Sequence, residues 1–176
     1  MVHDDRRVIR ALRREFFDWR LWLTRGLVIA AAAACGLTIV GFTWITEHAF
    51  AGFLSLSKHG WWVALLWTPL CTAAIVALTR RFAAGAAGSG IPQVMATLDP
   101  VVDATRRPLL VSLRLSVAKV ALTSIGLLGG LSLGREGPSV QIAAGVMHGV
   151  RRWLPRRSVV TDHGLLVAGG AAGIAA

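Results

Sequence analysis

The sequence is poor in charged residues, and poorest in acidic ones. Of its 176 residues, 16% are charged, with 19 Lys and Arg against 9 Asp and Glu. A soluble domain carries about 25% charged residues. Hydrophobic residues make up 55% and the mean hydropathy is +0.60. This composition excludes both an ordinary soluble globular protein and a disordered chain.

Cysteine is also scarce, and the sequence contains neither a nucleotide-binding loop nor an evident cluster of metal ligands. The two cysteines, Cys35 and Cys71, lie inside apolar runs. This placement fits neither a disulfide framework nor a metal site, and it predicts apolar packing for both side chains. We therefore expect no metal, no cofactor and no enzymatic activity.

The net charge of +10 admits a nucleic-acid-binding protein, but the distribution of the charge argues against one. Seven of the 19 basic residues lie within residues 1–25, and most of the others form arginine pairs at the ends of apolar runs: Arg80-Arg81, Arg106-Arg107, Arg151-Arg152 and Arg156-Arg157. Such pairs fix the orientation of a membrane protein, with basic ends on the cytoplasmic side. We expect a multi-pass protein of the plasma membrane with a cytoplasmic N-terminus and no nucleic-acid partner.

Three apolar runs are long enough to cross a bilayer: residues 26–46, 61–79 and 109–128. Between the first two, residues 47–60 are predicted to be a polar linker. Residues 1–25 place apolar side chains at helical spacing among arginines, which predicts an amphipathic helix on the cytoplasmic membrane surface. A soluble helix packed against its own protein is the alternative. The expected fold is an all-α polytopic membrane protein whose transmembrane domain covers residues 26–176.

The last apolar run, residues 163–176, has about 14 residues and is too short to span a membrane. We therefore expect the transmembrane domain to be truncated at its C-terminal end. The alternative to a transporting protein is a truncated, non-transporting membrane fragment.

Two glycine-rich motifs, GSGIP at 88–92 and GREGP at 134–138, each place a proline at the start of an apolar helix. Proline is favoured in a first helical turn, and glycine lets the preceding backbone turn its N–H groups toward a ligand. The partial positive charge of the helix N-terminus completes an anion site. Two broken helices that begin at a similar membrane depth indicate the binding site of a transporter or channel.

Glu136 is the first candidate residue, because a carboxylate at membrane depth is costly and usually functional. Ionised Glu136 would occupy the anion position, and its protonation would free that position. A structural ion pair with Arg135 or a helix cap is the alternative. Ser89 can donate its hydroxyl to an anion, unless it is a plain helix-turn serine. Lys119 either adds positive potential to the pore or pairs with an acid. Arg135, beside Glu136, is a further candidate for an electrostatic role.

At these motifs the sequence resembles the CLC family of voltage-gated chloride channels and proton/chloride exchangers. The resemblance is carried by GSGIP at 88–92, GREGPSVQ at 134–141 and AAGIAA at 171–176. It implies a partial CLC-type fold, with most of the first inverted repeat and with broken, re-entrant helices. It also implies transport of chloride and protons by a homodimer with one pore per subunit, and leaves channel and exchanger as alternatives.

The resemblance implies a role for individual residues. Ser89 corresponds to the serine that coordinates the central anion, and serine at this position goes with chloride. Glu136 corresponds to the gating glutamate, which carries protons in exchangers. Backbone amides at Gly90, Ile91 and around Gly137 would line the anion site. The sequence has no tyrosine, so the family's central-site tyrosine is expected beyond residue 176, as is its inner proton-transfer glutamate.

Overall fold

The computed structural model describes residues 19–99, 101–102, 105–154 and 160–175, so most of the predicted N-terminal amphipathic helix lies outside the described residues. The described residues form helices and no strands. The α-helices are α1 (Trp19–Ser57), α2 (Trp61–Phe82), α3 (Ile91–Leu98), α4 (Leu113–Leu128), α5 (Glu136–Val150) and α6 (Asp162–Ala175). The predicted all-α fold is confirmed.

Three segments of the described chain are long and apolar enough to cross a membrane: Leu21–Ser57, Trp61–Phe82 and Arg107–Leu128. They contain the three predicted apolar runs. At 1.5 Å per residue, α2 extends about 33 Å, close to the thickness of the hydrocarbon core, and α4 accounts for about 24 Å of the third segment. The chain is therefore a multi-pass integral membrane protein.

Helix α1 is longer than the sequence predicted. It has 39 residues, or about 58 Å, and it includes most of the segment 47–60 that was predicted to be a linker. Glu47 and His48 are exposed on the helix surface, so their polarity does not require the helix to end. The chain turns only at Gly60, whose φ of 137° is a value that favours glycine.

Helix α5 lies at the centre of the bundle, and most of its side chains are buried. Helix α6 packs against it through two glycines four residues apart. A Cβ on Gly169 would lie 2.7 Å from Ala144 Cα, and a Cβ on Gly173 would lie 2.6 Å from Val140 Cα. The absence of side chains at these positions brings the two backbones into contact, as is common between helices in membranes.

The arginine pairs at 80–81, 106–107 and 151–152 lie at the same end of the bundle, here called the basic end. Gly85, which follows α2, contacts the Leu109 carbonyl, and Gly149 near the end of α5 packs against Leu113 at the start of α4. At the opposite end, Trp67 Nε1 donates a 3.0 Å hydrogen bond to the Leu128 carbonyl. The two broken-helix motifs lie between these ends.

Candidate anion site

The first motif leads directly into α3. Gly90 precedes the helix with a φ of 108°, and Pro92 is the second helical residue. The positive φ of Gly90 turns the chain sharply, so that Ser89 is exposed at the helix N-terminus. Among the described residues, Ser89 Oγ has no hydrogen-bond partner, which leaves the hydroxyl free to donate to a ligand.

The second motif opens α5, in which Glu136 is the first residue and Pro138 the third. The Arg135 carbonyl accepts 2.9 Å hydrogen bonds from both the amide and the hydroxyl of Ser139. These bonds close the first turn. The amides of Glu136 and Gly137 lie within that turn, where backbone N–H groups have no intrahelical acceptor.

The two helix N-termini touch, and glycine is what allows them to do so. A Cβ on Gly90 would lie 2.6 Å from the Gly137 carbonyl oxygen, and a Cβ on Gly137 would overlap both the hydroxyl and the carbonyl oxygen of Ser89. The structure therefore brings together Ser89, Gly90 and Gly137, and Ile91 follows as the first residue of α3.

A cavity of about 840 Å³ adjoins this contact. Both motifs line it, together with one face of α2 and one face of α4. Ser89, Ile91, Gly137 and Glu136 are among the lining residues, and so is Lys119 of α4. Apart from Gly90, which is buried, the predicted site residues line one space, as do the two helix N-termini.

Glu136 is exposed and lines this cavity. Within the part of the chain that the structure describes, no hydrogen bond or ion pair holds its carboxylate. Arg135 does not pair with it. Instead, Arg135 Nη1 lies 3.2 Å from Glu47 Oε1 of α1, in a pair whose side chains are 35% and 60% exposed. The ion pair with Arg135 that the sequence offered as an alternative role of Glu136 is therefore not formed.

Lys119 is buried, with 3% of its surface exposed. Its Nζ donates to the Ala86 carbonyl at 2.8 Å and to the Gly88 carbonyl at 2.5 Å. The described residues place no carboxylate against it, so of the two roles that the sequence left open, pairing with an acid is not observed. Lys119 holds the loop that precedes Ser89 and places a positive charge beside the cavity.

Two polar residues that support the site were not singled out from the sequence. Gln141 of α5 is 1% exposed, and its Nε2 donates at 2.9 Å to the carbonyls of Gly85 and Leu110. It thereby ties α5 to the loops before α3 and α4. Glu47, predicted to lie in a linker, anchors Arg135. Gln141 could have been found from the sequence, because it is an amide side chain within the apolar helix α5. Glu47 could not, because its contact with Arg135 depends on how α1 packs.

No group of three or more potential metal ligands occurs among the residues that the structure describes. Both cysteines are free thiols, Cys35 buried and Cys71 half-buried. The site is built instead from hydrogen-bond donors and positive charge.

The fold and the site together define a multi-pass helical membrane protein in which two broken helices meet at an electropositive cavity. The voltage gated chloride channel family matches residues 71–176, more than half of the chain. The chain belongs to this family, as the resemblance at the two motifs predicted.

Several curated bacterial proteins named H(+)/Cl(-) exchange transporter ClcA are similar to the chain. The protein of Cronobacter sakazakii is 35% identical over 149 residues, which cover 80% of this chain and 30% of the relative. That of Citrobacter koseri is 30% identical over 172 residues, covering 95% of this chain and 35% of the relative. The chain thus spans about a third of the length of these relatives. No solved structure gave a significant match.

Proposed function

We propose that the chain forms part of the chloride pathway of a CLC-type anion channel or proton/chloride exchanger. One observation carries the proposal: two helix N-termini meet at Ser89, Gly90 and Gly137, in a cavity next to a buried lysine. The similar proteins named as proton/chloride exchange transporters support the choice of chloride and protons. Transport, and not enzymatic catalysis, is the activity proposed.

The anion site consists of donors from both motifs. The Ser89 hydroxyl and the amides of Ile91 and Gly137 surround the anion, with Gly90 providing the turn. Each helix N-terminus contributes roughly half a positive charge, and these partial charges act together because the termini touch. Lys119 adds positive charge beside the cavity, and Arg135 is among the residues that line it. These contributions favour a small anion over a cation or a neutral solute.

Glu136 acts as the gate. In its ionised form the carboxylate occupies the position of the anion at the N-terminus of α5, where negative charge is stabilised. When it is protonated this stabilisation is lost, and the side chain yields the position to chloride. Because the carboxylate has no partner among the described residues, it moves without breaking an ion pair. Proton binding and chloride passage are therefore coupled at one side chain.

The orientation follows from the arginine pairs, which place the basic end in the cytoplasm. The protein then lies in the plasma membrane with its N-terminus inside. Residues 1–25 form the cytoplasmic N-terminal segment, and residues 26–176 form the transmembrane domain. As in the rest of the family, the working unit is a homodimer with one pore per subunit.

The experiment is chloride efflux from liposomes that contain the protein as its gene encodes it, measured between pH 4 and 8. Glu136→Gln keeps the shape of the side chain and removes its charge, so we expect efflux that no longer depends on pH. Asp99→Asn, in an exposed turn at the end of α3, is the matched control and should keep the wild-type pH profile. A wild-type profile in Glu136→Gln rules out this gate, and a wild-type protein without chloride efflux supports the non-transporting alternative.

A further inference from the structure

The cavity has a second set of polar groups, on α2 and α4, away from the two motifs. Thr123 is 5% exposed and lines the cavity together with Thr79. Neither hydroxyl has a hydrogen-bond partner among the residues described. A hydroxyl at the wall of a cavity without a protein partner can donate to a ligand or to water.

Other hydroxyls in the helices of this protein behave differently. They donate to the carbonyl four residues earlier at 2.7 to 3.2 Å, as is usual for serine and threonine in membrane helices: Thr38, Thr46, Thr72, Ser116 and Ser124. Thr123 does not make this bond. Its hydroxyl is therefore available to the cavity.

The packing of α2 against α4 brings Thr79 to the depth of Thr123. The two helices are antiparallel: a Cβ on Gly129 would lie 2.7 Å from Cys71 Cβ, and a Cβ on Gly126 would lie 3.7 Å from Ile75 Cδ1. Thr79 lies four residues, or about one turn, after Ile75 on α2. Thr123 lies about one turn before Gly126 on α4, so the two threonines are at the same level. Thr79 and Thr123 therefore line the cavity from neighbouring helices at a similar depth.

Lys119 lies one turn from Thr123 on the same face of α4, because residues four apart in a helix are neighbours. Its Nζ has three N–H groups, and two of them donate to carbonyls. The third has no acceptor in the described part of the chain. The buried charge also lacks a carboxylate partner, and a buried cation without a counter-charge is unfavourable.

We propose that Lys119, Thr123 and Thr79 form a second anion site in this cavity, separate from the site at Ser89. It takes a small monovalent anion of halide size, because the three side chains together offer hydrogen-bond donors and a positive charge but no negative charge. The site rests on the proposed function, in that the anion reaches it from the transport pathway. It extends that function by giving the pathway a second position at which an anion binds, next to the anion at Ser89.

The direct test is a crystal structure of the protein as its gene encodes it, grown with bromide in place of chloride. Bromide is located by its anomalous scattering. We expect one peak between Thr79, Thr123 and Lys119 and another at Ser89. In the double variant Thr79→Val/Thr123→Val, the first peak should disappear and the second remain. Thr72→Val, which alters a hydroxyl already bonded to a carbonyl on the same helix, should leave both peaks.

Calorimetric titration with bromide gives the second measurement. Since a hydrogen bond to a charged group contributes more than a neutral one, each valine should weaken binding at this site by about tenfold, whereas Thr72→Val should not change it. A peak only at Ser89, or a peak at Thr123 that persists in the double variant, overturns the second site and leaves the proposed function standing. No peak at either position and no measurable binding overturns both.

Discussion

The contact between the two helix N-termini is the feature of the site most sensitive to a small change. We predict that Gly137→Ala disables anion binding while the protein still folds. The added Cβ would overlap the hydroxyl and the carbonyl oxygen of Ser89 and lie 3.0 Å from its carbonyl carbon. Both overlapping atoms belong to Ser89, whose turn supplies donors in the proposed anion site, so the change falls directly on that site.

The magnitude follows from the geometry. To restore ordinary contact, the Ser89 turn must move away from α5 by about 1 Å, and overpacking of this kind costs about 1–3 kcal/mol. Alanine is also about 1 kcal/mol better than glycine within a helix, which offsets part of the loss in stability. Anion binding gains nothing from the alanine that would offset its loss. Moving one of its donors out of hydrogen-bond range should cost about 1.5 kcal/mol or more, which is at least about tenfold in affinity.

The assay is calorimetric titration of chloride into purified protein, together with a thermal melt that reports folding. Gly134→Ala is the matched control, because a Cβ at Gly134 would meet nothing within 4 Å and its backbone φ is not positive. We expect wild-type affinity in Gly134→Ala and at least a tenfold loss in Gly137→Ala, with similar melting temperatures. Chloride affinity in Gly137→Ala within about twofold of wild type would refute the reasoning.

Two further predictions concern the packing that supports the site. Glu47→Gln removes the ion pair with Arg135. Because both side chains are partly exposed, we expect the free energy of unfolding, measured by denaturant titration, to fall by less than about 1 kcal/mol. A loss of several kcal/mol would contradict the view that this pair is a weak surface interaction. Gly173→Ala places a methyl group against the backbone of α5 and should cost about 1–3 kcal/mol. Gly41→Ala, also within a helix but with nothing within 4 Å, should be neutral or slightly stabilising, and equal melting shifts in the two glycine variants would disprove the close contact.

The features that the sequence predicted well depend on local chemistry. The membrane helices followed from the lengths of the apolar runs, since the bilayer fixes how many residues must be apolar. The starts of α3 and α5 followed from glycine and proline, whose backbone preferences act within a few residues. The similar depth of the two motifs was expected, because the number of residues in α3, α4 and the intervening turn limits the depth of each motif.

The features that the sequence did not predict depend on contacts between distant segments. Glu47 and Arg135 are 88 positions apart, and their pairing requires α1 to continue as a helix through a polar segment. The acceptors of Lys119 are backbone carbonyls, which carry no side-chain signal. That Thr79 and Thr123 line the same cavity depends on how α2 and α4 are aligned, because residues four apart share a helix face and a shift of one residue would change which side chains line it.

In the proposed mechanism, the electrostatic balance of the cavity links anion binding with gating. Two helix N-termini and Lys119 make the space positive, and of the described residues that line it, Glu136 is the acidic one. Buried positive charge is stabilised when a negative charge occupies the space beside it. In the proposed mechanism, that charge is either the Glu136 carboxylate or an anion from solution, so the potential that would attract chloride would also attract the carboxylate. Protonation of Glu136 would then remove one of the two competitors and favour the other.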